Sequence, residues 1–291
     1  MTKNLNEELY NRFGLNIDRA KVVDGLRLFL TNEAWKVLYP MLYPELYSNP
    51  HPKLLREART IILEELCREL FLDSSDYYSW SEYVAKNLLK EIFENRLNSI
   101  EVLLVNTQIF INILYKQKEI REELDEFVNK IKFYTYDFPI LGIIVNLYKV
   151  RAPQILPSTS PRLDKEIIDT LGVLDTDKYR SVLDEFEIGI KTFSKAKTDS
   201  QFKDVVEDMH ASCDEVVKLS LKDKNKGFKH AFDKDTYKKL GLNGHQKEIF
   251  KNLKNWMDEI KHGSKKNIER REVEMIISIS AAFIRCVATN V

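Results

Sequence analysis

The residues with the clearest chemical potential lie on one predicted helix in the last fifth of the sequence. Residues 247–263, KEIFKNLKNWMDEIKHG, carry apolar side chains at three- and four-residue spacing, which predicts an amphipathic helix with one buried stripe. At about 100° per residue, the polar positions opposite that stripe form a single line. The line consists of Lys251, Asn255, Asp258 and His262. If another element covers this face, their polar ends can converge, and an imidazole near a carboxylate can transfer protons.

The same residues also fit a purely structural interpretation. A histidine in the last turn of a helix complements the helix dipole, and Gly263 can then take the left-handed conformation that ends many helices. A polar line opposite an apolar stripe is usually a solvated face. On spacing alone, catalysis at His262 and a simple helix end at this position are both open.

Composition limits the function classes. The 291 residues include 45 Lys plus Arg and 45 Asp plus Glu, so the formal net charge is zero and any basic site must be local. Only 9 Gly and 8 Pro, with 31% charged residues, are typical of a helix-rich globular protein, and no strong strand pattern is present. The sequence contains none of the common motifs for nucleotide loops, zinc hydrolases or serine hydrolases. We therefore predict no cofactor.

Cysteine and histidine positions predict no metal and a reducing compartment. Cys67, Cys213 and Cys286 are far apart in apolar helical patterns, and no pair of histidines has metal-ligand spacing. The most apolar stretch, residues 139–148, is about half of the roughly 20 residues that a membrane-spanning helix needs. The first residues show no secretory signal pattern. These features favour a cytoplasmic protein with no membrane association.

Proline and serine positions divide the chain into two predicted domains. The stretch KVRAPQILPSTSPR after Tyr148 has three prolines and a Ser/Thr cluster, which is linker composition. We predict a helical N-terminal domain over 1–150, a linker over 151–163 and a second helical domain over 164–291. In the second, a short helix precedes four longer ones at about 176–196, 200–221, 244–261 and 267–288, which suits an antiparallel four-helix bundle. The predicted fold class is all-α.

A lysine-rich stretch separates the second and third long helices. Residues 222–243 are polar and are predicted to form a loop across one end of the bundle. They contain Lys222, Lys224, Lys226, Lys229 and His230. The loop either is mobile and solubilising, or it folds over the bundle end near His262 and contacts RNA or phosphate.

Two segments of the second domain resemble a known family. Residues 258–263, DEIKHG, with Asn267 and the long apolar helix that follows, resemble the last two helices of HEPN domains, most closely the C-terminal HEPN-like domain of abortive-infection proteins. Residues 205–218, VVEDMHASCDEVVK, resemble the first helix of that module, with Asp214 at its acidic position and Lys218 one turn later. The resemblance covers roughly residues 176–290 and is carried by pattern more than by identity.

The resemblance implies a metal-independent ribonuclease or an enzyme that modifies nucleotides. Members typically carry an Arg, a polar residue after it, and a His four to six residues after the Arg. The His moves the proton of a ribose 2′-hydroxyl, and the Arg holds the phosphate. His262 and Asp258 match the His and polar positions, but Met257 stands where the Arg belongs. The expected roles are general acid or base for His262, its orientation for Asp258, and phosphate contacts for Lys251 and Asn255.

Three functions are open at this stage. The first is an abortive-infection, antiviral defence protein whose bundle forms a homodimer and cuts RNA, while the N-terminal domain senses a phage or host protein trigger. The second is a non-catalytic interaction or scaffold protein that uses the bundle for dimerisation, which Met257 favours because Met cannot bind phosphate. The third is a toxin–antitoxin partner that binds through its N-terminal half.

Overall fold

The computed structural model describes residues 18–43, 52–72, 81–95, 99–138, 141–148, 151–263 and 267–290. These residues are mostly helical with one small sheet, which confirms the prediction of a helix-dominated fold. Contacts divide the chain into two compact units. The first comprises Met1–Leu147 and Ala152–Ile155, and the second comprises Tyr148–Arg151 and Leu156–Val291.

The described part of the first unit contains five α-helices. They are α1 (Arg19–Leu42), α2 (Pro52–Glu69), α3 (Glu82–Phe93), α4 (Ile100–Tyr115) and α5 (Arg121–Asp137). The hydroxyls of Ser81 and Ser99 accept a backbone N–H from the first turn of α3 and α4, which fixes where these helices begin. The helices share one apolar core, in which Phe93, Phe110 and Phe127 meet edge to face at 5.4 and 5.7 Å between ring centroids.

The predicted linker contains one strand of a small sheet. Strand β1 (Ile143–Asn146) pairs with β2 (Gln154–Pro157). Gln108 of α4 fixes the start of β2, because its amide donates to the Pro153 carbonyl at 2.9 Å and accepts from the Ile155 N–H at 2.7 Å. Strand β2 could not be recognised in the sequence because Pro153 precedes its short apolar centre and Pro157 ends it. Proline is confined to the ends and edges of strands, so two prolines so close together argue against a strand.

In the second unit, the structure describes six α-helices. They are α6 (Pro161–Leu174), α7 (Arg180–Lys195), α8 (Asp199–Leu221), α9 (Thr236–Lys239), α10 (Gly244–Lys261) and α11 (Arg270–Asn290). The long helices lie within a few residues of their predicted bounds, and capping boxes begin α8 and α10. Helix α8 packs against α7, α10 and α11, and α6 packs against α11. The antiparallel order of four helices stays a prediction.

The lysine-rich stretch differs from the predicted polar loop. It contains a 3-10 helix, Phe228–Phe232, followed by α9. The side chains of Phe228 and Phe232 are buried, and the Phe228 ring lies 4.8 Å from the ring of Phe283 in α11. Lysine content suggested solvent exposure, but burying one phenylalanine stabilises by about 1.5–3 kcal/mol. The aromatic residues therefore fix this stretch against the helices and leave its lysines at the surface.

Candidate active site

A polar cleft of about 310 Å³ lies between α8 and α10 beside the 3-10 helix, and we name it the α8–α10 cleft. It is lined by His210, Asp214, Lys218, Asn225, Gly227, Lys229, His230, Lys254, Asp258 and Lys261. Four lysines against two aspartates make the cleft locally positive, although the whole chain has no net charge. Such a lining attracts anions, and two imidazoles add groups that can exchange protons or donate hydrogen bonds.

Three residues of α8 line the cleft at intervals of one turn, His210, Asp214 and Lys218. Lys218 Nζ donates to Asp214 Oδ2 at 2.6 Å, and the Phe228 N–H donates to Asp214 Oδ1 at 2.7 Å. Burial raises the pKa of Asp214, but these two hydrogen bonds and the positive charge nearby together lower its pKa overall. Asp214 is therefore a fixed anion that ties the lysine-rich stretch to α8, one turn after His210.

Gly227 allows this stretch to approach α8 closely. A Cβ at position 227 would lie 1.8 Å from Asp214 Oδ1, far inside contact distance. The φ and ψ angles of Gly227 are −89° and −163°, so lack of space, and not backbone conformation, excludes a side chain. The next residue, Phe228, is buried, and its ring meets the His210 ring edge to face at 5.5 Å between centroids.

The substitution Gly227→Ala is expected to lower the free energy of unfolding by about 1–3 kcal/mol, because a displaced Asp214 leaves the Phe228 N–H without its acceptor. Thermal denaturation measures the loss. Gly172→Ala is the matched control, since a Cβ at that α6 position has no neighbour within 4 Å. A glycine-to-alanine change inside a helix should stabilise by about 0.5–1 kcal/mol. Equal effects of the two substitutions would contradict the close contact at Gly227.

Asp258 of α10 lies beside the imidazole of His210 on α8. Its carboxylate accepts a hydrogen bond from Lys254 one turn earlier, and its Oδ1 lies 3.6 Å from His210 Nε2. This distance is long for a hydrogen bond, but a carboxylate so close attracts the imidazolium that forms when His210 takes up a proton. The side chains of His210 and Asp258 are 17% and 29% exposed, so water only partly screens that attraction.

The pKa of His210 is lowered from its ordinary value. Burial is the largest cause, and the ammonium groups of Lys261 and Lys254 act in the same direction. Asp258 and Asp214 oppose them without reversing the shift. The imidazole is therefore neutral at neutral pH, which is the form that accepts a proton from a substrate.

The lowered pKa of His210 makes folding stability depend on pH. Its unfolded pKa is about 6.5, so below this pH the unfolded chain binds a proton more readily than the folded chain does. Its contribution to stability is full above about pH 6.5 and is lost as the pH falls through the lower folded pKa. The melting temperature of the wild type should therefore fall more between about pH 7.5 and 5.5 than that of His210→Gln. Parallel falls would contradict this shift.

The cleft lysines differ in their partners. Lys218 and Lys254 pair with the two aspartates of the cleft. Within the described ranges, Lys229 and Lys261 have no ion-pair partner. Two ammonium groups are thus available to an incoming anion without breaking an existing pair, which lowers the cost of binding it.

The structure brings only one of the four predicted site residues into the cleft, Asp258. Three lie outside its lining with exposed side chains, Lys251, Asn255 and His262. The reason is the angle around α10. Lys254 and Lys261 lie about 40° and 60° from Asp258 on the side nearer the apolar stripe, whereas the other three predicted residues lie on its far side. Helix α8 approaches α10 from the side nearer the stripe.

His262 occupies the C-cap of α10. Its N–H donates to the Asp258 carbonyl at 2.9 Å, and Gly263 follows with a φ of 73° in the left-handed region. This geometry matches the helix-end interpretation. Met257, at the position where the HEPN resemblance predicts an Arg, is 0% exposed in the core. Catalysis by His262 stays a prediction, but the groups placed around His210 form the better-enclosed site.

His210 is the functional candidate that the sequence interpretation missed. The signal was the spacing His-x3-Asp-x3-Lys on one predicted helix, which puts an imidazole, a carboxylate and an ammonium group on one face. Asp214 and Lys218 were recognised through the resemblance, whereas His210 alone indicated only the polar edge of its helix. Its partner Asp258 is on another helix, so their proximity depends on how the helices pack.

The chain matches no family model, no curated protein and no solved structure. The chemistry of the α8–α10 cleft is therefore inferred from its own residues. Across the described ranges, no helix is both long and apolar enough to span a bilayer. Nor do the described residues bring three or more His, Cys, Asp and Glu side chains into a group able to hold a metal ion.

Proposed function

We propose that the protein is a metal-independent endoribonuclease with its active site in the α8–α10 cleft. The observation that carries this proposal is the pairing of His210, neutral because its pKa is lowered, with Asp258 at 3.6 Å in a lysine-lined cleft. His210 takes the proton of a ribose 2′-hydroxyl, and Asp258 stabilises the imidazolium that results. This division of roles needs one general base, one carboxylate and a positive phosphate site.

The bond changes follow from these roles. The 2′-oxygen forms a bond to the adjacent phosphorus, and the bond from phosphorus to the 5′-oxygen breaks. The cleft lysines stabilise the negative charge that grows on the phosphate in the transition state. Lys261, unpaired among the described residues, donates a proton to the leaving 5′-oxygen. The products are a 2′,3′-cyclic phosphate end and a 5′-hydroxyl end, and the reaction needs no external reagent.

The proposal is tested with single-stranded RNA and DNA oligonucleotides of the same sequence in the presence of EDTA. We expect the wild type to cut RNA to cyclic-phosphate ends and to leave DNA intact, because DNA lacks the 2′-hydroxyl. Two lysines of α10 provide a matched pair: Lys254→Gln, in the cleft, should slow cleavage, and Lys251→Gln, outside it, should not. Intact RNA with the wild type, or equal rates for the two variants, would overturn the proposal.

The biological setting is proposed from the resemblance of residues 176–290 to the HEPN-like domain of abortive-infection proteins. In this setting the protein acts in the cytoplasm as an antiphage defence factor, and a phage or host protein releases its ribonuclease activity. A homodimer would bring two α8–α10 clefts to one RNA. Induced expression, with growth and total RNA integrity followed together, tests this part independently of the cleft chemistry.

A non-catalytic scaffold is the second candidate. It is favoured by Met257, which is buried where the resemblance predicts a phosphate-binding arginine, and by His262, which is exposed and lies outside the cleft lining. A scaffold predicts that binding of partners and any growth effect survive loss of His210. Growth arrest by a His210→Ala variant, without RNA fragmentation, would support this candidate over the ribonuclease.

A further inference from the structure

His230 is held in the wall of the cleft by the backbone around it. It lies in the 3-10 helix, two residues after Phe228, whose ring packs against His210. The His230 N–H donates to the Gly227 carbonyl at 2.9 Å, and the Asp233 N–H donates to the His230 carbonyl at 3.2 Å. Because the Phe228 N–H donates to Asp214 and Gly227 lies against the same carboxylate, the backbone of His230 is held from several directions.

The two edges of the His230 ring have different surroundings. Nδ1 is buried and has no hydrogen-bond partner in the part of the chain that the structure describes, whereas the side chain as a whole is half-buried and lines the cleft. A buried N–H without an acceptor is rarer in proteins than a buried acceptor without a donor. In the neutral ring the proton therefore belongs on Nε2, at the edge that is left to face the cleft.

From this geometry we propose that His230 is a further catalytic residue, which donates its Nε2–H to a non-bridging oxygen of the substrate phosphate. The proposal rests on the proposed function, because it assigns a second side chain to the same phosphodiester site. It gives the two imidazoles separate tasks: His210 moves the proton, and His230 binds the oxygen whose negative charge grows in the transition state. Lys229, next along the chain, supplies positive charge at the same wall.

The direct test is nitrogen NMR of the histidine rings in the full chain, titrated with a 2′-O-methyl RNA oligonucleotide that cannot be cleaved. We expect the neutral His230 ring to carry its proton on Nε2 and the Nε2 resonance to shift on titration. Exposed His245 serves as the internal control and should not shift. A proton on Nδ1, or an unmoved His230 resonance while His210 shifts, would overturn the assignment. If no cleft resonance shifts, both this inference and the proposed site are wrong.

A kinetic test separates oxygen binding from a structural role. Removing one oxyanion donor typically lowers the rate by about 10²–10³-fold, which we expect for His230→Ala, with partial recovery in His230→Gln because an amide N–H is kept. Replacing one non-bridging oxygen by sulfur should slow the wild type for one diastereomer and have little further effect in His230→Ala. The same sulfur effect in both proteins would overturn the inference. A wild type whose His230 responds to RNA without cutting it would overturn the ribonuclease proposal and the catalytic role of His230, and would leave only its phosphate contact supported.

Discussion

Replacing His210 with alanine is expected to lower the rate of RNA cleavage by about 10²–10⁴-fold, the contribution of a well-placed general base. The His210 imidazole has a lowered pKa and lies beside a carboxylate, Asp258, that can stabilise its protonated form. Initial rates on a labelled RNA oligonucleotide in EDTA measure the effect. The wild-type rate should rise with pH through the lowered pKa of His210, so activity should persist below about pH 6.5.

His262→Ala is the matched control, because it removes an imidazole from the same region without touching the cleft lining. This variant should retain the wild-type rate and the wild-type pH profile. If His262→Ala is inactive and His210→Ala is active, the cleft is not the active site and catalysis belongs to the end of α10. Melting temperatures of both variants at pH 7.5 show whether a lost rate reflects lost folding.

Replacing Met257 with the arginine that the HEPN resemblance predicts at this position is expected to destabilise the second unit by about 3–5 kcal/mol and not to speed RNA cleavage. Met257 is 0% exposed, so the guanidinium would be buried without a counter-ion. At roughly 2–4 °C per kcal/mol for a unit of this size, the melting temperature should fall by roughly 6–20 °C. Circular dichroism during heating measures this fall.

Met257→Leu keeps a buried apolar side chain of similar volume and should cost less than about 1.5 kcal/mol. Comparing Met257→Arg with Met257→Leu therefore separates the effect of a buried charge from that of a changed side-chain shape. An arginine variant that melts like the wild type and cuts RNA faster would show that position 257 can turn towards the substrate. In that case the family motif, and not the α8–α10 cleft, would describe the active site.

Helices of this protein could be predicted from sequence because their signals are local. The bounds of α8 and α10 follow from capping residues and from apolar spacing, which involve neighbours within one or two turns. The strand β2 and the 3-10 helix could not be predicted in this way. Pairing with β1, contact with Gln108 and burial of Phe228 against Phe283 all depend on residues distant in the chain.

Only part of the candidate site could be predicted from the sequence, and the reason is geometric. Periodicity identified α10 and its polar residues correctly, and Asp258 does line the cleft. The periodicity does not show which edge of the polar face of α10 another helix covers. The line opposite the apolar stripe points to solvent, whereas the cleft forms at the border between stripe and polar face, where Lys254 and Lys261 lie. His210 enters only because α8 packs against that border.

The aromatic support of the cleft also sets an order of events during synthesis. Phe228 and Phe250 both pack on Phe283, at 4.8 and 5.1 Å between ring centroids, and Phe283 is translated after every residue that lines the cleft. A chain still on the ribosome therefore carries His210, Asp258 and the lysines before it carries the ring that braces the lysine-rich stretch. If the cleft cuts RNA as proposed, we therefore expect that activity only after α11 has been made and has packed against the lysine-rich stretch.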